Sequence, residues 1–294
     1  MLETRFRRRV VLDTDTYNEV DDQFALAHLL LSPEEVEIEA VYAAPFFNGR
    51  SSSPADGMEK SYDEIARVID LVGGPRPPVF RGSTSYLPGP ALPVKSAAAA
   101  DLVERALAMK EGERLYVAGI AAATNLASAL LLEPKIADRI ALVWLGGHGP
   151  QWPDTREFNL QQDLHAARVL LDSPVPLILL PCYPVTSHLI VTVPELEKHL
   201  EPQSKLGAYL TEIVRHYGDN SPGWSKVIWD ISASAWLVNP GWIATGEEPS
   251  PLLRDDVTWG DRTGRRPVQI AHGLNRDAIF ADFYAKAARS GKSA

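Results

Sequence analysis

Apolar positions along the chain fall into short continuous runs that alternate with longer stretches at helical spacing. Residues 10–13 form a short apolar run that closes on a carboxylate, and residues 21–31 follow with Phe24, Ala25, Ala27, His28 and Leu31 at helical intervals. Residues 36–44 read as a second strand. Residues 58–72 read as a second helix with Ile65, Val68, Ile69 and Val72 on one face. Buried-type strands are predicted over 115–118, 140–145 and 175–181, separated by helices over 125–132 and 163–171. After Pro184 the periodicity weakens, and helices are predicted over 195–216, 232–237 and 277–289. Segments 51–54 and 73–78 and the Pro/Gly-rich stretch 83–93 read as loops. A βαβα order with continuously apolar strands predicts an α/β fold, an open and mostly parallel sheet with helices on both faces. No linker or repeat interrupts it, so a single domain over residues 1–294 is expected.

In open parallel sheets ligands sit beyond the carboxyl ends of the strands. The polar residues that directly follow the apolar runs are therefore the candidates for chemistry. After the first run come Asp13, Asp15, Asn18, Asp21 and Asp22, and after the second comes Asn48. Thr124 and Asn125 follow the next run, then Gly146, Gly147 and His148 with Glu157 and Asn159 beyond. Late in the chain Asp230 follows residues 227–229. Oxygen donors and amides dominate and no Cys/His set has zinc spacing, which favours a hard cation such as Ca²⁺ or Mg²⁺. One aspartate after a strand is ordinarily a turn residue or a helix N-cap, and Asp21, Asp22 or Asp230 alone fits that role. Asp13, Asp15, Asp21 and Asp22 within one short segment repel one another unless a cation or protons compensate. His148, after two glycines, fits a loop histidine or a substrate contact equally. Glu157 and Asn159 taken singly would be solvated loop residues.

Composition narrows the partners. With 294 residues, 45% of them hydrophobic, the chain can bury a large core. A net charge of −9 argues against nucleic-acid or anionic-membrane partners, which need a basic face. Cys182 is the single cysteine, so no internal disulfide can form; it reads as a small buried hydrophobe, and a cytoplasmic location is expected. No run approaches the ~18 apolar residues of a membrane span, and the first residues lack the apolar stretch of a signal sequence.

Two motifs fail on their own residues. An EF-hand loop from Asp13 would need an oxygen side chain at its fifth position, Gly at its sixth and Glu at its twelfth, where Tyr17, Asn18 and Phe24 stand. The string VVLDTDT also resembles haloacid-dehalogenase-like phosphohydrolases, with Asp13 as nucleophile and Asp15 as acid/base. Tyr17 stands where that motif has Thr, and no later lysine and acidic pair follows.

The string VVLDTDTYNEVDDQFALAHLL, an apolar strand, Asp-x-Asp, a loop and Asp-Asp opening a helix, resembles the signature of the inosine–uridine-type nucleoside hydrolases. VYAAPFFNG, AAATNLASALL, LGGHG, REFNLQQDLHAARVLL and WDISASAWLVNP continue the resemblance in the same order. It implies calcium-dependent hydrolysis of the N-glycosidic bond of a small-molecule ribonucleoside by a homodimer or homotetramer. It further implies one Ca²⁺ held by Asp15, Asp22, Asp230 and the backbone carbonyl of Thr124, with Asp13 behind them. Asp21, Asn48, Glu157 and Asn159 would hold the ribose hydroxyls. Asp15 is the candidate base for water and His148 a candidate acid for the leaving base. In the purine-preferring branch a Trp stands just before the last aspartate and stacks on the base; here that residue is Trp229, with Tyr86 a candidate for the opposite face. Read alone, Trp229 fits plain core as well. The chain departs from the family in a five-residue loop, 16–20, where three are usual, and in an insertion at 50–57. A non-catalytic ribose- or calcium-binding protein on the same scaffold is the remaining alternative, with the longer loop disabling turnover.

Overall fold

The computed structural model describes residues 7–219 and 221–290. Its elements run β1 (Arg8–Thr14), α1 (Asp22–Leu30), β2 (Val36–Ala43), α2 (Pro54–Val72), β3 (Val79–Arg81), α3 (Ala97–Leu107), β4 (Leu115–Ile120), α4 (Thr124–Leu132) and β5 (Ile140–Leu145). They continue with α5 (Phe158–Gln162), α6 (Leu164–Asp172), β6 (Leu177–Leu180), β7 (Ile190–Val191), α7 (Val193–His199), α8 (Lys205–Tyr217), β8 (Lys226–Val227), α9 (Ile231–Val238), β9 (Ile243–Pro249), β10 (Pro267–Leu274) and α10 (Arg276–Ser290). An eight-stranded sheet has the order β3-β2-β1-β4-β5-β6-β10-β9. Every neighbouring pair in it is parallel except β10 and β9. A small antiparallel pair, β7 and β8, stands apart.

Successive side chains of a strand point to opposite faces, and in β1 both faces are covered. Val10 and Leu12 join a core with Phe24 and Leu26 of α1 and Phe280 and Phe283 of α10. Val11 joins a second core with Leu102 of α3, Leu126 of α4 and Leu170 of α6. Helices therefore lie on both faces, as the continuous apolar strands require. α1 is buried all round, from Asp22 to Leu29, and its polar residues must find partners inside the protein. The chain leaves β1 toward β2 and β3 on one side and returns as β4, β5 and β6 on the other. The order thus reverses between β1 and β4, and a crevice opens beyond their carboxyl ends. Among the described residues no helix is long and apolar enough to cross a membrane.

The local readings fail in four places. Residues 51–53 are a loop as read, but α2 begins at Pro54 and not at Met58: Ser53 accepts the Asp56 amide as N-cap and Pro54 takes the first helical position. The stretch 195–216 is two helices, because Ser204 caps a new helix, accepting the Gly207 amide at 3.0 Å. α3 was not read from the sequence, although it buries Ala98, Ala99, Leu102 and Ala106 on one face and its N-cap Ser96 accepts the Ala99 amide. β9 and β10 are short of the continuous apolar character of the inner strands; β9 is an edge strand in which Ile243 alone is buried.

Candidate active site

The site grows from the end of β1. Asp13 is fully buried and accepts from Asn125 Nδ2 at 2.7 Å. Asn125 Oδ1 in turn accepts the Ser83 amide at 2.7 Å. Gly82 lets that loop approach, because a Cβ there would lie 2.1 Å from the Ala43 carbonyl oxygen and 2.4 Å from Asn125 Nδ2. Burial pushes the Asp13 carboxyl up to about 7, with the Asn125 bond partly opposing. Asp15 is fully buried, and neither of its carboxylate oxygens has a hydrogen-bond partner. Burial, then the charges of Asp22 and Asp21, push it well above the usual carboxylate range.

Two helix N-termini converge opposite Asp15. Asp21 is the N-cap of α1 and Asp22 its first residue; Asp230 is the N-cap of α9. Neither N-cap side chain makes a capping bond, so these aspartates are not there to finish their helices. Asp21 instead accepts the Trp229 amide at 3.1 Å and lies 3.3 Å from Lys226 Nζ, which also pairs with Glu19 at 2.6 Å. Asp22 accepts from the Thr14 hydroxyl; burial, then Asp21, lift its carboxyl to about 8. Burial, then Asp21 and Asp22, raise Asp230 well above the usual range. Carboxylate oxygens of Asp21, Asp22 and Asp230 lie within 4.8 Å of one another. Three buried acids this close, facing an acid with two partnerless oxygens, fit a hard cation with oxygen ligands. The closest trio contains Asp21, which the resemblance assigns to ribose. Asp15 stands beside the trio and not within it.

Above the acids lies an open cavity of about 220 Å³. Of the residues singled out in the sequence, Asp15, Asp21, His148, Glu157, Asn159, Trp229 and Asp230 line it. Asp13, Asp22, Asn48, Tyr86 and Thr124 are not among its lining residues. Asn48 donates to Asn18 Oδ1, and its own Oδ1 accepts the Arg50 amide at 2.8 Å. The Tyr86 hydroxyl is bound to Gln162 Oε1. The Thr124 hydroxyl donates to Asp163 at 2.8 Å. Glu157 reaches the cavity but accepts three backbone amides, from Gly147, Asn159 and Leu160, at 2.8, 2.9 and 3.0 Å, and so caps α5. Burial nevertheless leaves its carboxyl above the ordinary value.

The wall away from the acids is aromatic. Tyr183 stacks on Trp152 at 5.2 Å and 13°, and meets Trp229 edge-on at 5.5 Å. His148 lies 5.2 Å from Tyr183. The Tyr183 amide points at His148 Nδ1, 3.4 Å away. Nδ1 is thus the acceptor, and the proton of the neutral ring sits on Nε2. Burial lowers the His148 pKa below the ordinary histidine value. Sequence reasoning missed Tyr183 and Cys182 in this wall, although both directly follow β6 and the strand-end rule reaches them. Asn18, named among the strand-end candidates, also lines the cavity, as do Glu19 and Arg156, which were not singled out. The two departures from the family pattern brace each other: the Arg50 guanidinium lies 4.3 Å above the Tyr17 ring and donates to the Glu19 carbonyl at 2.9 Å.

Residues 10–292 match the family described as inosine-uridine preferring nucleoside hydrolase. The chain belongs to this family. It is a hydrolase acting on N-glycosyl compounds, which removes the phosphohydrolase alternative. The family is metal-dependent, and the buried acidic trio can hold a metal. A pyrimidine-specific ribonucleoside hydrolase, RihA of Salmonella paratyphi B, is 25% identical over 267 residues, covering 81% of this chain and 82% of the relative. Among solved structures, a purine-preferring ribonucleoside hydrolase from Gardnerella vaginalis superimposes with a TM-score of 0.78 over 98% of this chain and all of that one, at 22% identity. An inosine-uridine preferring nucleoside hydrolase from Bacillus anthracis does so with 0.74 over 96% of this chain and 99% of that one, at 19% identity. These two likenesses bear on the fold.

Proposed function

We propose that this nucleoside hydrolase prefers purine ribonucleosides and works with Ca²⁺. The supporting observation is that one segment, Trp229–Asp230, contributes both an aromatic ring to the cavity wall and a carboxylate to the acidic trio. Sugar and base would then be gripped at adjacent positions. In this reading Asp15, Asp22, Asp230 and the Thr124 carbonyl hold the cation, with Asp21 at its edge, and Asn159 and Asp21 meet the ribose. When bound, Ca²⁺ supplies positive charge that keeps these acids ionised and polarises water and the sugar hydroxyls.

The C1′–N bond breaks through a sugar with oxocarbenium character, which the surrounding carboxylates favour electrostatically. Asp15 takes the proton of the attacking water as the water oxygen bonds to C1′. The bonding pair leaves with the base. His148, neutral with its proton on Nε2, donates a hydrogen bond to the departing base anion, Trp229 and Tyr183 exclude water around it, and the base is finally protonated by the proton that Asp15 took from water.

Base stacking on an aromatic ring is worth roughly 1–3 kcal/mol. Trp229→Ala is therefore expected to cut inosine turnover by about tenfold or more while the melting temperature changes little. A reducing-sugar assay with inosine, adenosine, guanosine, uridine and cytidine tests the preference. Faster cleavage of uridine than inosine by the natural protein, in line with the pyrimidine-specific relatives, overturns it.

A further inference from the structure

The acidic trio is split between two helices that pack on each other: Asp21 and Asp22 open α1, and Asp230 opens α9. A side-chain hydrogen bond crosses their contact. His28 of α1 is 0% exposed and its Nδ1 lies 3.0 Å from Oγ of Ser234 in α9, itself 1% exposed. The other ring nitrogen, Nε2, lies 2.9 Å from Asp282 of α10. The network then closes on itself. Asp282 pairs with Lys286 at 2.8 Å, Lys286 donates to Ser32 Oγ at 2.8 Å, and Ser32 donates to the His28 carbonyl at 2.6 Å.

The protons follow from these partners. A carboxylate only accepts, so the hydrogen of the neutral ring is on Nε2; Nδ1 then faces the Ser234 hydroxyl, whose single hydrogen is shared between Nδ1 and the Ile231 carbonyl oxygen, each 3.0 Å away. Burial holds the His28 pKa below its ordinary value despite Asp282, which keeps the ring neutral. Ser–His–Asp in this order resembles a nucleophile with its base, but both Ser234 and His28 are sealed from solvent and from substrate. The arrangement is mechanical.

We propose that the His28–Ser234 hydrogen bond is a positioning lock that fixes α1 against α9 and sets the distance at which Asp21 and Asp22 face Asp230. The proposal rests on the reading that these acids hold Ca²⁺. Ser234 stands one helical turn beyond Asp230, and His28 under two turns beyond Asp22, roughly 6 and 9 Å along rigid rods. A slip at the lock is transmitted to the acids nearly undiminished. Ca²⁺–oxygen distances span only about 0.3 Å, so a slip of half an ångström is felt by the ion. The acids repel one another when ionised and push the two N-termini apart; the lock resists that push from within the protein. α10 takes part through Asp282, which sets the tautomer that lets Nδ1 accept.

The test is calorimetric titration of Ca²⁺ into the EDTA-treated full-length protein, with melting curves of the same samples. Ser234→Ala removes the hydroxyl. His28→Gln keeps a donor toward Asp282 and takes the acceptor away from the Nδ1 position. Both are expected to weaken Ca²⁺ binding by about tenfold, the lower range for groups that orient metal ligands from behind. Ser234→Thr, which keeps the hydroxyl, should stay within threefold of the natural protein. If Ser234→Ala and His28→Gln melt earlier yet bind Ca²⁺ within twofold of the natural protein, the bond is a packing contact and the lock is refuted. If the natural protein itself takes up no Ca²⁺, the lock falls together with the cation reading, and that outcome is separate because it appears before any substitution.

Discussion

Asp15→Asn should lower kcat by about 10²–10⁴-fold, the usual worth of a general base, and should at the same time make the metal-free protein more stable. Both effects come from one feature. Asp15 has two buried oxygens without partners beside three other acids. An amide of the same shape removes the repulsion and the desolvated charge, and with them the group that takes the proton from water. Ribose release and a melting curve in EDTA read the two effects. A near-natural rate would remove Asp15 from the chemistry. A lower melting temperature in EDTA would mean that its charge is compensated in a way the arrangement of acids does not provide. Loss of activity with gain of stability is what a strained functional site produces.

The second large effect is a loss of stability of the metal-free protein as pH rises. Burial lifts Asp13 to about 7 and Asp22 to about 8, against roughly 3.9 for an aspartate in the unfolded chain. The folded state therefore binds more protons than the unfolded one across this interval, and stability falls as pH rises. The contribution of these groups is fully present below about pH 4 and is lost as pH passes through 7 to 8. In EDTA, the melting temperature should drop by about 10 °C or more between pH 5 and pH 9, since each kcal/mol moves a chain of 150–250 residues by roughly 2–4 °C and a longer one by somewhat less. Saturating Ca²⁺ should remove most of that slope, because the cation replaces the protons, and its stabilisation should be larger at pH 8 than at pH 6. Scanning calorimetry at four pH values, with and without Ca²⁺, measures this. A metal-free protein whose melting temperature rises steadily from pH 5 to pH 9 would show that the acids are ionised and satisfied without a cation.

Local patterning carried much of the architecture. Short apolar runs bounded by turn residues read as strands buried on both faces, and helical spacing between such runs points to a parallel sheet, so the inner strands and most helices between them were legible from neighbouring residues. The strand-end rule then reached Asp13, Asp15, Asp21, Asp22, His148 and Asp230, because the crevice of such a sheet lies where its strands stop. The family motifs were also readable, being local strings. What neighbouring residues do not encode is which side chain meets which across the sheet. Tyr86 was expected at the base and is bound to Gln162, while Tyr183 and Trp229, 46 positions apart in sequence numbering, line the cavity and meet edge-on at 5.5 Å. Asn48 and Glu157 were read as free polar contacts, but the fold gives each of them backbone groups that would otherwise be buried without partners. His28 looked like one more member of an apolar face. Its partners, Ser234 and Asp282, lie 206 and 254 positions away, and only the packing of α1 between α9 and α10 makes a buried imidazole tolerable there. The identity of the acids was a local matter, since repulsion within one segment is visible in the segment. Their spacing is set by two helices that pack far from where either sequence begins, and that is a property of the tertiary structure.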